Sequence, residues 1–284
     1  MKKALLFALP ALLTAGLLLT ACQKNDLTSA DSLQTALLDD LHQTTAAEDE
    51  VATIYDDSPM DFFTMTTSEE SNTLKTARDL PIFCGATITT TRQAGGGFTT
   101  VVDYGAGQTC QNGKTRKGKI TTVFAPGTGK DFIQTITFEN YSVDGRTLNG
   151  TQTVTLVGGT PGGVVKTKVE KMILTTKDGK TITFSSEKTR SYDRKGTLSP
   201  SDDEISVTGS SSGTGSEGKA FTSAIKTPVL IRNSCGREAR VPVAGVVEIT
   251  PAGGSTHTVD YGDGTCDNTY TVTVGGKTET KTFK

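Results

Sequence analysis

Four oxygen-bearing side chains crowd into nine residues near the end of the chain: Asp260, Asp263, Asp267 and Asn268. Hard oxygens at that spacing suit calcium, and Gly262 and Gly264 between them would let the backbone fold around an ion. The competing reading is a tight turn that uses glycine for positive φ. An earlier stretch bears on the choice. Residues 102–112 read Val-Asp-Tyr-Gly-Ala-Gly-Gln-Thr-Cys-Gln-Asn, and residues 259–268 read Val-Asp-Tyr-Gly-Asp-Gly-Thr-Cys-Asp-Asn. With Gln108 as a single insertion, eight positions coincide. Ala106 stands where the later copy has Asp263, and Gln111 where it has Asp267. The shared residues are those of turn geometry, so the expectation is a turn used twice, with calcium confined to the second copy.

Each copy has a Cys-Gly pair upstream, Cys84-Gly85 and Cys235-Gly236. Setting Cys22 aside, four of the five cysteines remain, and four allow three pairings. A repeated unit points to Cys84 with Cys110 and Cys235 with Cys266. Bridges closing loops of that length stabilise by about 3–4 kcal/mol each in the chain-entropy model. A metal site is the alternative, but there is no CxxC spacing and no His beside the pairs.

Other chemistry-bearing patterns lack their context. Gly209-Ser210-Ser211-Ser212-Gly213 matches GxSxG, and Gly213 to Gly218 matches GxGxxG. A nucleophile elbow or a dinucleotide loop needs a strand before it and a helix after it. This glycine-serine segment is expected to be a flexible hairpin loop. Asp202-Asp203-Glu204 reads as a solvated turn, since glycosidase carboxylates face each other across a sugar. The basic run Lys114, Arg116, Lys117 and Lys119 reads as the exposed face of a strand and its turn. His42 reads as a lone surface residue, and His257 has no nucleophile signature near it. Nothing in these residues asks for an enzyme.

The first residues form an address. Lys2 and Lys3 precede an apolar run from Ala4 to Leu18, too short to span a membrane as a helix. It ends in Leu19-Thr20-Ala21-Cys22, which looks like a bacterial lipobox. The reading is a lipoprotein signal peptide at 1–21, with Cys22 carrying palmitate-class acyl chains that anchor stably. The alternative is an ordinary secretory signal with a chance cysteine. Gln23-Lys24-Asn25-Asp26 is similar to the Gln-Lys-acidic tag that follows the lipid cysteine in surface lipoproteins of Bacteroidetes-type bacteria, although with fewer acids. The expected location is the outer membrane, facing the periplasm or the exterior. A formal net charge of −2 argues against nucleic acid, where a clustered basic face is expected.

The elements that must position these residues follow from periodicity. After a tether at 22–28, Leu33, Leu37 and Leu41 mark one face of a helix within 29–57. Residues 58–79 have no clear period and read as linker. From 80 to 284 the chain alternates apolar residues with threonine, which suits the exposed face of a strand. Thirty-nine of these 205 residues are Thr. Asp144-Gly145 and Asp178-Gly179 mark tight hairpins. The fold expected is all-β: an antiparallel meander of about a dozen strands, curved or barrel-like, or else a two-layer sandwich, preceded by one N-terminal helix. Cysteine-containing modules occupy 84–112 and 235–268.

The lipobox, the Asp-Tyr-Gly-x-Gly-(x)-Thr-Cys copies, Gly113-Lys114-Thr115-Arg116-Lys117-Gly118-Lys119-Ile120, Asn140-Tyr141-Ser142-Val143-Asp144-Gly145 and Leu148-Asn149-Gly150-Thr151 together resemble uncharacterised secreted lipoproteins of Bacteroidetes-type bacteria. The resemblance implies the address and the β class, and no catalytic residues. Three functional classes follow as expectations. The first is a lipid-anchored binding or structural module for a protein, glycan or small molecule. The second is a barrel carrying a small apolar ligand, and the third is a hydrolase. No cofactor beyond calcium is expected.

Overall fold

The computed structural model describes residues 35–47, 83–94, 96–110, 113–158, 163–197, 199–235 and 241–283. The expected signal peptide, tether, linker and most of the 29–57 helix lie outside them. So do Ser29, Asp31 and Ser32, residue types that the sequence offers as caps for that helix, and its acidic run Glu48-Asp49-Glu50. One helix, α1 (residues 35–47), precedes fourteen strands. These are β1 (Thr87–Gln93), β2 (Gly97–Asp103), β3 (Gln108–Thr109), β4 (Thr115–Pro126), β5 (Phe132–Val143), β6 (Arg146–Val157) and β7 (Val164–Thr175). There follow β8 (Thr181–Asp193), β9 (Glu204–Thr214), β10 (Ala220–Arg232), β11 (Pro242–Pro251), β12 (His257–Asp263), β13 (Thr269–Val274) and β14 (Lys277–Thr282).

All fourteen belong to one antiparallel meander sheet. Sequence neighbours are sheet neighbours, apart from β3, a short strand that pairs only with β4. The sheet is not closed into a barrel: β1 and β14 are its two edges. The barrel-like expectation is therefore corrected to an open, bent sheet. β14 keeps its edge polar with Lys277, Glu279 and Lys281, which discourages pairing with further strands.

Alternation explains the two faces. One inward row crosses the strands in direct register from Thr100 through Thr122, Ile136, Gln152 and Val169 to Ser186. Apolar positions of this face form one core cluster, in which Tyr141, Leu174, Ile182 and Val259 are wholly buried. Each such side chain contributes about 1.5–3 kcal/mol on leaving water. The outward rows carry the threonines; Thr137 and Thr151, for example, face each other with hydroxyls 3.4 Å apart.

A seam of bulges bends the sheet. Register shifts fall between β4 and β5, β5 and β6, β6 and β7, and β7 and β8. The residues there have positive φ: Gly118, Asn140, Gly150 and Lys171. At Gly118 a Cβ would collide with the Asn140 carbonyl, so only glycine fits. A bulge turns a strand and raises its twist, and a line of them folds the whole sheet. The bulge at Lys171 also breaks the simple alternation of β7, in which Lys171 and Ile173 would follow Thr167 and Val169 inward. The inward set continues as Met172 and Leu174, and Ile173 is 42% exposed.

Helix α1 belongs to the core. Leu37, Leu38 and Leu41 are buried in the same cluster as the strands. The Ser216 N–H, in the β9–β10 turn, donates to Asp40 Oδ2 at 2.9 Å. A Cβ at Gly215 would run into that carboxylate and displace it. His42 stacks edge-on against Tyr270 at 5.5 Å and lies 6.5 Å from Phe283. The surface reading of His42 is thus corrected: the helix turns it onto the aromatic residues of the C-terminal strands. Burial lowers its pKa, while burial raises that of Asp40 against the pull of the Ser216 hydrogen bonds.

Candidate functional site

Both expected disulfides are present, Cys84–Cys110 and Cys235–Cys266, with Cα–Cα distances of 4.6 and 5.3 Å. Each encloses a hairpin, β1–β2 in the first case and β11–β12 in the second. The two Asp-Tyr-Gly segments share one local bond, although the first turns out of the sheet after Asp103 and the second continues as strand to Asp263. The Gly105 N–H donates to Asp103 Oδ1 at 2.8 Å, and the Gly262 N–H donates to Asp260 Oδ1 at 2.9 Å. An aspartate that caps its own backbone two residues on explains why this acid occurs in both segments. Tyr104 and Tyr261 both point into the core.

The four candidate calcium ligands are not brought together. Asp260 is committed to Gly262. Asp263 Oδ1 accepts from the Thr265 N–H at 3.1 Å and hydroxyl at 2.7 Å, and these bonds hold its pKa below the usual range. Asp267 Oδ1 accepts from the Thr269 N–H at 3.0 Å. Asn268 is tied to the chain end, its side-chain amide donating to the Phe283 carbonyl at 3.3 Å. Among the described residues no group of three or more His, Cys, Asp or Glu side chains is arranged to hold a metal ion.

The surroundings of the two bridges differ. Arg116 is 1% exposed; its Nε donates to Tyr141 Oη at 3.1 Å and its Nη1 contacts Cys110 Sγ at 3.0 Å. This corrects the reading of the basic run as an exposed face. Strand alternation sends Arg116 inward while Lys117 stays out and Lys119 pairs with Glu139. At the other bridge Arg232 donates from Nε to Glu204 at 2.9 Å and from Nη1 to the Gly264 carbonyl. Lys195 reaches Glu204 at 2.8 Å. Asp202–Glu204 is therefore no solvated turn. Asp203 is buried, Thr197 donates to Asp202, and Glu204 is bridged by two cations, because the 3-10 turn Pro200–Asp202 lies against the turn Asn233–Cys235.

The glycine-serine segment is another correction. Gly209 to Thr214 belongs to strand β9, and only the following residues turn. Glycine is needed because a Cβ on Gly213 would collide with the Thr183 carbonyl of β8, and a tight neighbour of this kind leaves no elbow for a nucleophile. His257 is 5% exposed, its pKa lowered by burial, and it pairs across the sheet with Ile249 and Val274. That row offers no triad partner.

A feature the sequence did not disclose is a broad, open groove of about 1090 Å³ across β6 to β11, beside the bulge seam. Ser185, Ser212, Thr222 and Thr250 stand in direct register along it, one on each of four adjacent strands. At the usual strand spacing this hydroxyl row spans roughly 14 Å. Lys168, Glu170, Glu187 and Glu248 share the lining, with Lys168 paired to Glu170 at 2.7 Å. Glu187 and Glu248 start three strand spacings apart, roughly 14 Å, beyond the separation of glycosidase pairs. Lys168 holds the Glu170 pKa down, the reverse of what a general acid needs. The signal that could have located the groove was the glycine and positive-φ seam, invisible until the register was known. No family model, no curated protein and no solved structure matches the chain.

Proposed function

We propose that this chain is a lipoprotein of the outer bacterial envelope, anchored through Cys22, whose β body presents a polar binding face. It belongs with the secreted lipoproteins it resembles, and the two Asp-Tyr-Gly segments are copies of one unit. The observation that carries the binding role is the hydroxyl row Ser185–Ser212–Thr222–Thr250 on the floor of an open groove. Hydroxyls both donate and accept, so a regular row of them suits a polyhydroxylated ligand laid across the strands. The charges around it are partly self-paired, which favours a neutral glycan over a polyanion. The barrel-carrier reading loses its container, because the sheet is open. The hydrolase reading needs a carboxyl held protonated, and Glu170, the groove carboxylate paired with Lys168, is shifted the other way.

The test uses the acylated full chain in outer-membrane vesicles and neutral polysaccharides in an affinity-electrophoresis gel. The wild type is expected to be retarded, and Ser212→Val with Thr222→Val to migrate freely. Retardation unchanged in that double variant would remove the groove from the proposal. For the anchor, Cys22→Ser is expected to move the protein from the membrane to the soluble fraction; continued membrane retention would end the lipoprotein reading.

A further inference from the structure

The two disulfides differ in what lies against their sulfurs. Cys110 is 4% exposed, and the guanidinium of Arg116 sits 3.0 Å from its Sγ. Its partner Cys84 is half-buried and holds a left-handed backbone, φ 39°, without being glycine. At the second bridge the neighbouring guanidinium, Arg232, is committed to Glu204 and to the Gly264 carbonyl, and neither cysteine has a positive φ.

We infer that the Cys84–Cys110 bond is a directional thiol-exchange site, opened by a small-molecule thiol that attacks Cys84 and expels Cys110. The attacking thiolate forms a bond to Cys84 Sγ as the Cys84–Cys110 bond breaks, and the electron pair leaves on Cys110 Sγ. Exchange is faster when the leaving sulfur is the better stabilised thiolate. A guanidinium in contact with Cys110 supplies that stabilisation, as cations beside cysteines generally do. Cys84 is the more exposed of the two cysteines, and opening releases its left-handed backbone, a conformation that L residues rarely hold unless the surroundings enforce it. A second thiol then releases Cys84, which takes a proton from solvent, and the two small thiols leave as their own disulfide. Half-burial of Cys84 favours a small thiol over a protein dithiol. The location gives the step a consequence. Cys84 lies three residues ahead of the edge strand β1, on the side of the chain that leads back to Cys22. Exchange there frees the residues just ahead of β1 from Cys110, while α1 stays packed in the core.

The experiment treats the oxidised full chain with glutathione. Aliquots are quenched in acid, denatured, labelled with a maleimide and mapped by peptide mass. Glutathione is expected on Cys84 with maleimide on Cys110, in about tenfold excess over the converse. At the other bridge no such one-sided partition is expected. Arg116→Lys keeps the charge and most of the bias, and Arg116→Met brings the partition towards one to one. Equal partition in the wild type, or glutathione mainly on Cys110, overturns the inference, as does a bias unchanged in Arg116→Met. The wild-type partition decides the matter alone should the Met variant not fold.

Discussion

The two stapled regions, 84–110 and 235–266, share a Cys-Gly pair at one end and an Asp-Tyr-Gly segment near the other, and lie in different environments. In both, two cysteines enclose a hairpin and an aspartate caps a glycine two residues on. In the first Cys110 is buried, and its arginine is sealed inside with Tyr141. In the second Cys266 is exposed, and its arginine shares Glu204 with Lys195 at the surface. Local sequence therefore makes the capping bond, while the neighbouring strands decide how much energy hangs on it.

Removing the bridges is the largest perturbation. Loops of 26 and 31 residues have nearly equal closure entropy, so each double Cys→Ala variant is expected to lose about 3–4 kcal/mol in denaturant unfolding. A clearly larger loss for Cys84/Cys110 would measure the packing that the buried staple adds. Arg116→Ala comes next. It empties a buried site and removes the bond to the Tyr141 hydroxyl, so about 3 kcal/mol is expected, against at most about 1 kcal/mol for Arg232→Ala in its half-exposed ion pairs. Equal losses would break the contrast between the regions.

Smaller effects sharpen what is common. Asp103→Ala and Asp260→Ala should each cost about 1 kcal/mol through loss of one turn-capping bond. Millimolar calcium should leave the melting temperature unchanged, because Asp263 and Asp267 already accept from backbone donors. A rise that disappears in Asp263→Ala would make the second region a metal loop after all.

The pH response is the smallest expected effect. Burial lowers the pKa of His42 and His257, so the folded state binds fewer protons than the unfolded one and stability falls as pH drops through the ordinary histidine range. Asp40, raised by burial, acts in the opposite sense and weakens the fold as pH rises out of the carboxylate range. Comparing unfolding midpoints at pH 7.5 and 5.5 for wild type and His257→Phe should show a smaller drop in the variant.

Much of the architecture was legible in the sequence because a strand's period of two shows directly in residues such as Thr153, Val154, Thr155 and Leu156. Asp144-Gly145 marked its hairpin because both residues must take positive φ. The cysteine pairing was legible from the likeness of the two segments. What misled were residues whose role depends on a neighbour far along the chain. His42 reads as exposed until Tyr270 is brought to it, 228 residues later. The glycines of 209–213 read as a loop until β8 is laid beside them. Lys171 breaks a clean alternation because its bulge is set by pairing between strands and leaves no mark in the apolar pattern.

By itself the sequence determined the all-β class, the order of hairpins and the shared capping bond at Asp103 and Asp260. These rest on local backbone preference and on a period of two, which need no distant partner. Only the tertiary structure decided that the sheet stays open, that bulges line up into a bend with a hydroxyl-lined groove beside it, and that one arginine lies buried against a disulfide while its counterpart stays at the surface. Those outcomes depend on inter-strand register and on the packing of α1, which bring together residues that no sequence window contains.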